Sequence, residues 1–200
     1  QSALSITGIP VVSEEDSGSH SYVQSKDIYW VVDPLDGTVN LVRGIPMAAI
    51  SLALVKEGRP VWGIILNVFD GRTYISHGMD RQILKTNSTV SNVCKRKDAV
   101  LCTGYPSRFA WNDDCLQKYY SMQKAFSKIR MLGSAAMSLL YVGLGYVDAY
   151  YEINIRVWDV AAGLAIVSGS GGVVEYPGLI DDTTLNVFAH NGHLGDEQSA

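Results

Sequence analysis

The stretch Trp30–Leu41, WVVDPLDGTVNL, restricts the possible folds more than any other part of this chain. The apolar run from Ile28 to Val32 reads as a buried strand of the central or parallel type. It then meets Asp33, Pro34, Asp36 and Gly37 in quick succession. Pro34 fixes its own backbone and bars a regular helix, and Gly37 lets the chain come close to a ligand. A tight turn there sets both carboxylates, and the carbonyl of Leu35, on one side of the strand's end. Thr38 adds a hydroxyl and a backbone N–H. Oxygen donors of this kind suit a hard divalent cation such as Mg²⁺, completed by substrate phosphate. A bare pair of aspartates would serve simply to cap a helix. The added Pro34, Gly37, Thr38 and Asn40 point instead to a ligand site.

The rest of the first half reads as an antiparallel meander. Met47–Val55 and Val61–Val68 are strands joined by a Lys56-Glu57-Gly58-Arg59-Pro60 turn, and Thr73–Ser76 returns after Asp70-Gly71. The second half alternates. Ala99–Thr103, Ile129–Leu132, Val147–Ile153, Val173–Glu175 and Val187–Ala189 read as strands. Asp113–Phe126, Ala135–Val142 (capped by Ser134) and Val157–Ser168 read as helices. Such alternation implies a layered α/β protein with helices covering sheets. The expected organisation is one domain over 1–200, with an antiparallel lobe over about 1–95 and an α/β lobe over about 96–200.

Composition removes several classes. At 47% hydrophobic and 18% charged, the chain is globular rather than disordered. A net charge of −4 argues against nucleic-acid capture, and no apolar run is long enough for a membrane helix. Cys94, Cys102 and Cys115 are odd in number and lack CxxC spacing, which fits free thiols in a cytoplasmic protein. Asn87-Ser88-Thr89 is read as a chance sequon. His20, His77, His190 and His193 share no ligand spacing and read as surface or loop residues.

A phosphatase of the haloacid-dehalogenase type would need D-x-D-G-T after a strand, but Pro34 stands where its nucleophile belongs. DPLDGTVN instead resembles the D-P-[IL]-D-G-T-x-N motif of the inositol monophosphatase family. Val157–Gly163 (VWDVAAG) with Ser170-Gly171-Gly172 is similar to that family's W-D-x-A-[AG]-G…G-G. Ser13-Glu14-Glu15 stands where the family has G-E-E, and Gly133-Ser134-Ala135-Ala136 resembles its G-[ST]-A-A segment. The likeness runs from about Glu14 to about Gly172, with Leu41 in place of the usual aromatic residue.

The resemblance implies a layered sugar-phosphatase fold of alternating helix and sheet layers. It implies Mg²⁺-dependent, lithium-sensitive hydrolysis of a small phosphate monoester, inositol monophosphate above all, by a homodimer. Glu14, Asp33, Asp36 and Asp159 are the expected metal ligands, with the Leu35 carbonyl. Glu14 and Thr38 are assigned to activating and orienting the attacking water. Gly37, Thr38, Gly133, Ser134 and Ala135 are expected at the phosphate and substrate, and Glu152 and Asp159 at substrate hydroxyls. Clustered metal ions would neutralise charge and activate water. Fructose 1,6-bisphosphate, adenosine 3',5'-bisphosphate and histidinol phosphate remain open as substrates. So does a degraded relative that only binds.

The family carries helices ahead of the Glu-Glu motif, including a further metal-binding aspartate, and thirteen residues precede Glu14 here. With no initiating Met, the chain is expected to begin partway through a longer protein. Alone, it is expected to expose a sheet face, to bind metal weakly and to turn over little.

Overall fold

The computed structural model describes residues 2–15, 27–76, 89–105, 112–176 and 183–195. The first sheet takes its strands in chain order: β1 (Val11–Ser13), β2 (Ile28–Asp36), β3 (Ala49–Lys56), β4 (Arg59–Asn67) and β5 (Thr73–Ser76). From β2 onward the neighbours are antiparallel, as the turn residues imply, while β1 joins β2 in parallel. The second sheet contains β6 (Val100–Thr103), β7 (Lys128–Arg130), β8 (Ala149–Arg156), β9 (Val173–Glu175) and β10 (Thr184–His190), in the order β7-β6-β8-β10-β9. Here β6 lies parallel to β7 and β8, and β10 antiparallel to β8 and β9.

Between the sheets lie α4 (Ala135–Gly143) and α5 (Val157–Gly169), packed on each other and on strands of both. Both helices are apolar around most of their circumference. Residues Val160 to Val167 are all buried, as expected of a helix with a sheet on each side. One core runs through this layer, from Val31 and Ile65 through Leu139 and Leu164 to Tyr150 and Val187. A second cluster, Leu101 with Phe126 and Ala149, receives Met122 from α3 (Asp113–Gln123) on the far face of the second sheet. The short α1 (Ser2–Ser5) and α2 (Thr38–Arg43) complete the described α-helices. The arrangement is therefore the expected alternation of sheet and helix layers.

The outer face of the first sheet is also apolar. Trp30, Leu52, Leu54, Trp62 and Ile64 are half-buried there and Ile50 is exposed, with Trp30 meeting Trp62 edge-on at 5.8 Å. A Thr7 hydroxyl caps this face at one end, accepting from the Trp30 indole N–H at 3.1 Å.

β2 departs from the expected turn. It continues through Pro34 to Asp36, and pairs Asp33 with Ser51 but Asp36 with Ala49. β2 therefore carries one residue more than β3 over this interval, which is a bulge. In a regular strand, residues 33 and 36 would face opposite sides of the sheet. The extra residue restores them to one side, and both are buried. Pro34 is tolerated because β1 pairs only as far as Val32, so no partner asks for its missing N–H.

One reading of the histidines is corrected. His190 is not a surface residue but lies buried in β10, stacked on Phe188 with ring centroids 4.9 Å apart. Its Nδ1 accepts the Gly192 N–H at 3.1 Å and its Nε2 faces Glu175 at 3.3 Å. Its burial comes from the stack on Phe188 and the pairing with Val173 of β9, not from the alternation that buries Val187 and Ala189. His193 is exposed, while His20, His77, Asn87, Ser88 and 196–200 lie outside the described residues. The described cysteines are free thiols.

Candidate active site

The β2 bulge and the start of α5 converge on one point. Carboxylate oxygens of Asp33, Asp36 and Asp159 lie within 4.8 Å of one another. Asp159 stands in the first turn of α5, where the sequence places it. Ser51, paired with Asp33 across β2 and β3, donates its hydroxyl to the Trp158 carbonyl at 3.1 Å and ties α5 to the bulge.

Both β2 aspartates are held from one side. Asp33 Oδ1 accepts the Leu35 N–H at 2.9 Å, a local bond that shapes the bulge. Asp36 Oδ2 accepts the Ser134 hydroxyl at 2.5 Å and the Ala136 N–H at 2.8 Å. Thus a β2 carboxylate sits on the N-terminus of α4, where the free N–H groups and the helix dipole favour an anion. Ser134 also caps that helix, its oxygen accepting from Met137 N–H at 3.2 Å. Ser134 therefore both caps α4 and holds a carboxylate of the cluster. Asn40, buried on α2, donates to the carbonyls of Met47 at 2.8 Å and Leu132 at 2.7 Å, locking the two segments together.

Gly37 begins α2 with φ +82°, and a Cβ there would stand 2.7 Å from the Met47 carbonyl. The position needs glycine for conformation and for space. Thr38 donates its hydroxyl to the Leu35 carbonyl at 2.9 Å, so two of the expected site residues bind each other. Glu14 follows the end of β1 and is exposed. It stands outside the tight group, yet its charge raises the proton affinity of all three aspartates.

The electrostatics are those of crowded, buried acids. Burial, with the charges of Asp36, Asp33, Glu14 and Glu152, pushes Asp159 up to about 9. Burial pushes Asp33 up to about 7 and Asp36 to about 6, the latter held down by its bonds from α4. Burial and the Asp36 charge raise Glu152 to about 7. Among the described residues no Lys, Arg or His forms an ion pair with these carboxylates. An all-oxygen, buried, mutually repelling group lacking a cationic partner fits a hard metal ion.

Beside the cluster opens a cavity of about 230 Å³. Asp36, Gly133, Ser134, Ala135, Glu152 and Asp159 line it, as expected from the motifs. Thr103, Gly104, Tyr105, Ser138, Tyr150 and Ile155 also line it and were not anticipated. For Tyr150 a signal existed: it precedes Glu152 by two on β8 and so shares its face. For Gly104, brought in from β6 by strand pairing, there was none.

Ser134→Ala is expected to cost about 1 kcal/mol of metal-free stability through the lost cap. It should also weaken cation affinity by about tenfold, because Asp36 loses a bond that holds it in place and favours its charged form. Denaturant titration and calorimetric Mg²⁺ titration measure the two effects separately. Unaltered cation affinity would mean that α4 does not organise Asp36.

Residues 3–188 match the model of the inositol monophosphatase family. Nus factor SuhB of Pasteurella multocida is 32% identical over 193 residues, covering 92% of this chain and 67% of that protein. A Thermotoga maritima protein named fructose-1,6-bisphosphatase/inositol-1-monophosphatase is 34% identical over 174 residues, covering 86% of this chain and 66% of its own length. The solved inositol monophosphatase of Anabaena superposes with a TM-score of 0.81 at 27% identity, over 94% of this chain and 76% of that one. The chain thus spans about two thirds of these curated relatives, and as little as 53% of another.

Proposed function

The chain belongs to the inositol monophosphatase family, and on that premise we propose that it hydrolyses a small phosphate monoester with the help of Mg²⁺. The observation that carries this reading is the convergence of Asp33, Asp36 and Asp159 beside a cavity that Asp36 and Asp159 line. In this reading these three side chains hold Mg²⁺, with the Leu35 carbonyl and Glu14 completing the set. Bound there, Mg²⁺ supplies positive charge against the phosphoryl oxygens and acidifies the attacking water.

The chain's own groups then divide the work. The Thr38 hydroxyl proton is committed to Leu35, so its oxygen is left to accept from water and orient it. Glu14, exposed beside the cluster, takes up the water's proton. Backbone N–H groups at Gly37 and Thr38 receive phosphoryl oxygens, a role suited to a backbone nest. Glu152 accepts hydroxyls of the alcohol portion inside the cavity. Water attacks phosphorus in line, and no covalent enzyme intermediate forms.

Inositol monophosphate is the substrate we favour, acted on by a homodimer. A cavity of about 230 Å³ with a buried carboxylate acceptor suits one hydroxylated ring. A second reading, fructose 1,6-bisphosphate, is supported by the name of the Thermotoga relative. Phosphate release from a panel of inositol, sugar and nucleotide phosphates, with and without Mg²⁺, tests both. The expected result is Mg²⁺-dependent turnover with inositol 1-phosphate foremost. Absence of turnover together with absence of Mg²⁺ binding would replace the enzyme reading with that of a binding subunit.

A further inference from the structure

Glu152 owes its position to two neighbours. Tyr150, two residues earlier on β8, donates its hydroxyl to Glu152 Oε2 at 2.8 Å. Both residues are buried. Oε1 carries no hydrogen bond from a described residue and is left to the cavity both residues line. Against the same carboxylate stands Gly104, which directly follows β6. A Cβ there would lie 2.6 Å from Oε2, closer than real contacts allow, and 3.0 Å from Oε1. Gly104 cannot retreat easily. Its carbonyl accepts the hydroxyl of Tyr119 on α3, and the preceding Thr103 donates to the Tyr151 carbonyl at 2.6 Å.

We propose that Tyr150 and Gly104 form a cradle that fixes the Glu152 carboxylate in the orientation that selects hydroxylated phosphate esters. Tyr150 is a positioning residue, acting through Glu152; Gly104 supplies the space in which the carboxylate lies. The inference rests on the preceding reading of the cavity as a polyol-phosphate site. With Oε2 tied to a rigid tyrosine, Oε1 is presented at one angle and accepts a substrate hydroxyl without first being ordered. A ligand lacking hydroxyls gains nothing from this arrangement. The device therefore shows itself in discrimination between esters rather than in the hydrolysis common to them.

The test uses the full protein with Mg²⁺ and two probes, inositol 1-phosphate and phenyl phosphate, which has no hydroxyl. The measured quantity is the ratio of their kcat/KM values. Tyr150→Phe is expected to lower that ratio about tenfold, the effect of one hydrogen bond to a charged group. Gly104→Ala is expected to lower it further, since the added methyl displaces the carboxylate itself. That methyl meets the end of a side chain rather than backbone, so the melting temperature should move by only a few degrees. In a Glu152→Gln background, Tyr150→Phe should lower the ratio no further. An unchanged ratio in Tyr150→Phe overturns the proposal, and so does an additional loss in the Glu152→Gln background. Should Gly104→Ala fail to fold, Tyr150→Phe and the double variant still decide. If wild type hydrolyses neither probe, the phosphatase reading itself fails and this inference falls with it.

Discussion

Asp159→Asn is expected to lose turnover by about three orders of magnitude or more, and yet, freed of metal, to melt at a higher temperature than wild type. The loss follows from the proposed role. Stabilisation of transition-state charge by a metal is worth several kcal/mol, and about 4 kcal/mol is roughly 10³ in rate. The gain follows from the environment of Asp159. Burial among other acids pushes its folded-state pKa up to about 9, far above the ordinary aspartate value near 3.8. At pH 8 the unfolded chain carries this group ionised, whereas the folded chain must protonate it or bury a charge among other acids. Folding is opposed by that difference, and an amide of the same shape removes the opposition. A gain of at least about 2 kcal/mol corresponds to roughly 4–8 °C in Tm for a chain of this size. Toward pH 4 the difference should shrink to a small remainder, because there the folded aspartate is fully protonated and the unfolded one about half so. Phosphate release and calorimetric melting in EDTA at both pH values provide the test. Activity within tenfold of wild type would remove Asp159 from the site, and a lower Tm at pH 8 would refute the electrostatic account.

Without metal, the wild-type protein should lose stability steadily as pH rises from about 4 to about 9. Asp33, Asp36, Glu152 and Asp159 all have folded pKa values raised above their unfolded ones, chiefly by burial. A raised folded pKa contributes stability that is complete below the unfolded pKa and disappears as pH passes through the folded value. The window therefore opens near 4 and closes near 9, the value for Asp159. A fall in Tm on the order of 10 °C between pH 5 and 9 is the expected size. Saturating Mg²⁺ should act in the opposite sense. It binds deprotonated carboxylates, so the stabilisation it confers grows with pH and flattens the curve. Melting curves in EDTA and in Mg²⁺ across this range would expose the difference. Equal slopes in the two series would mean that the cation does not bind among these groups.

Much of the site could be read from the chain because its signals are local. Pro34, Gly37 and the two aspartates impose their conformational and chemical demands within a few residues, and Ser134 caps α4 as its position before an apolar run implies. Other features depend on registry between distant strands. β1 was not anticipated: Val11–Ser13 is too short to show a period, and it becomes a strand only by pairing with Trp30–Val32. His190 was misread for a related reason. Its burial comes from stacking on Phe188 beside β9, to which a lone histidine after Ala189 gives no clue.

The aspartate motif shows the division most clearly. Residue types and spacing along the chain already determined which oxygens could serve a cation, and the layered alternation of helix and strand. They could not determine that Asp33 and Asp36 share a face, because in an unbroken strand an odd spacing separates them. That was decided by the bulge against β3, by the start of α5 held through Ser51, and by α4 offering its N-terminus to Asp36. Chemistry of this kind resides in single side chains, whereas the direction each side chain faces is set by hydrogen bonds to partners as many as 107 residues away.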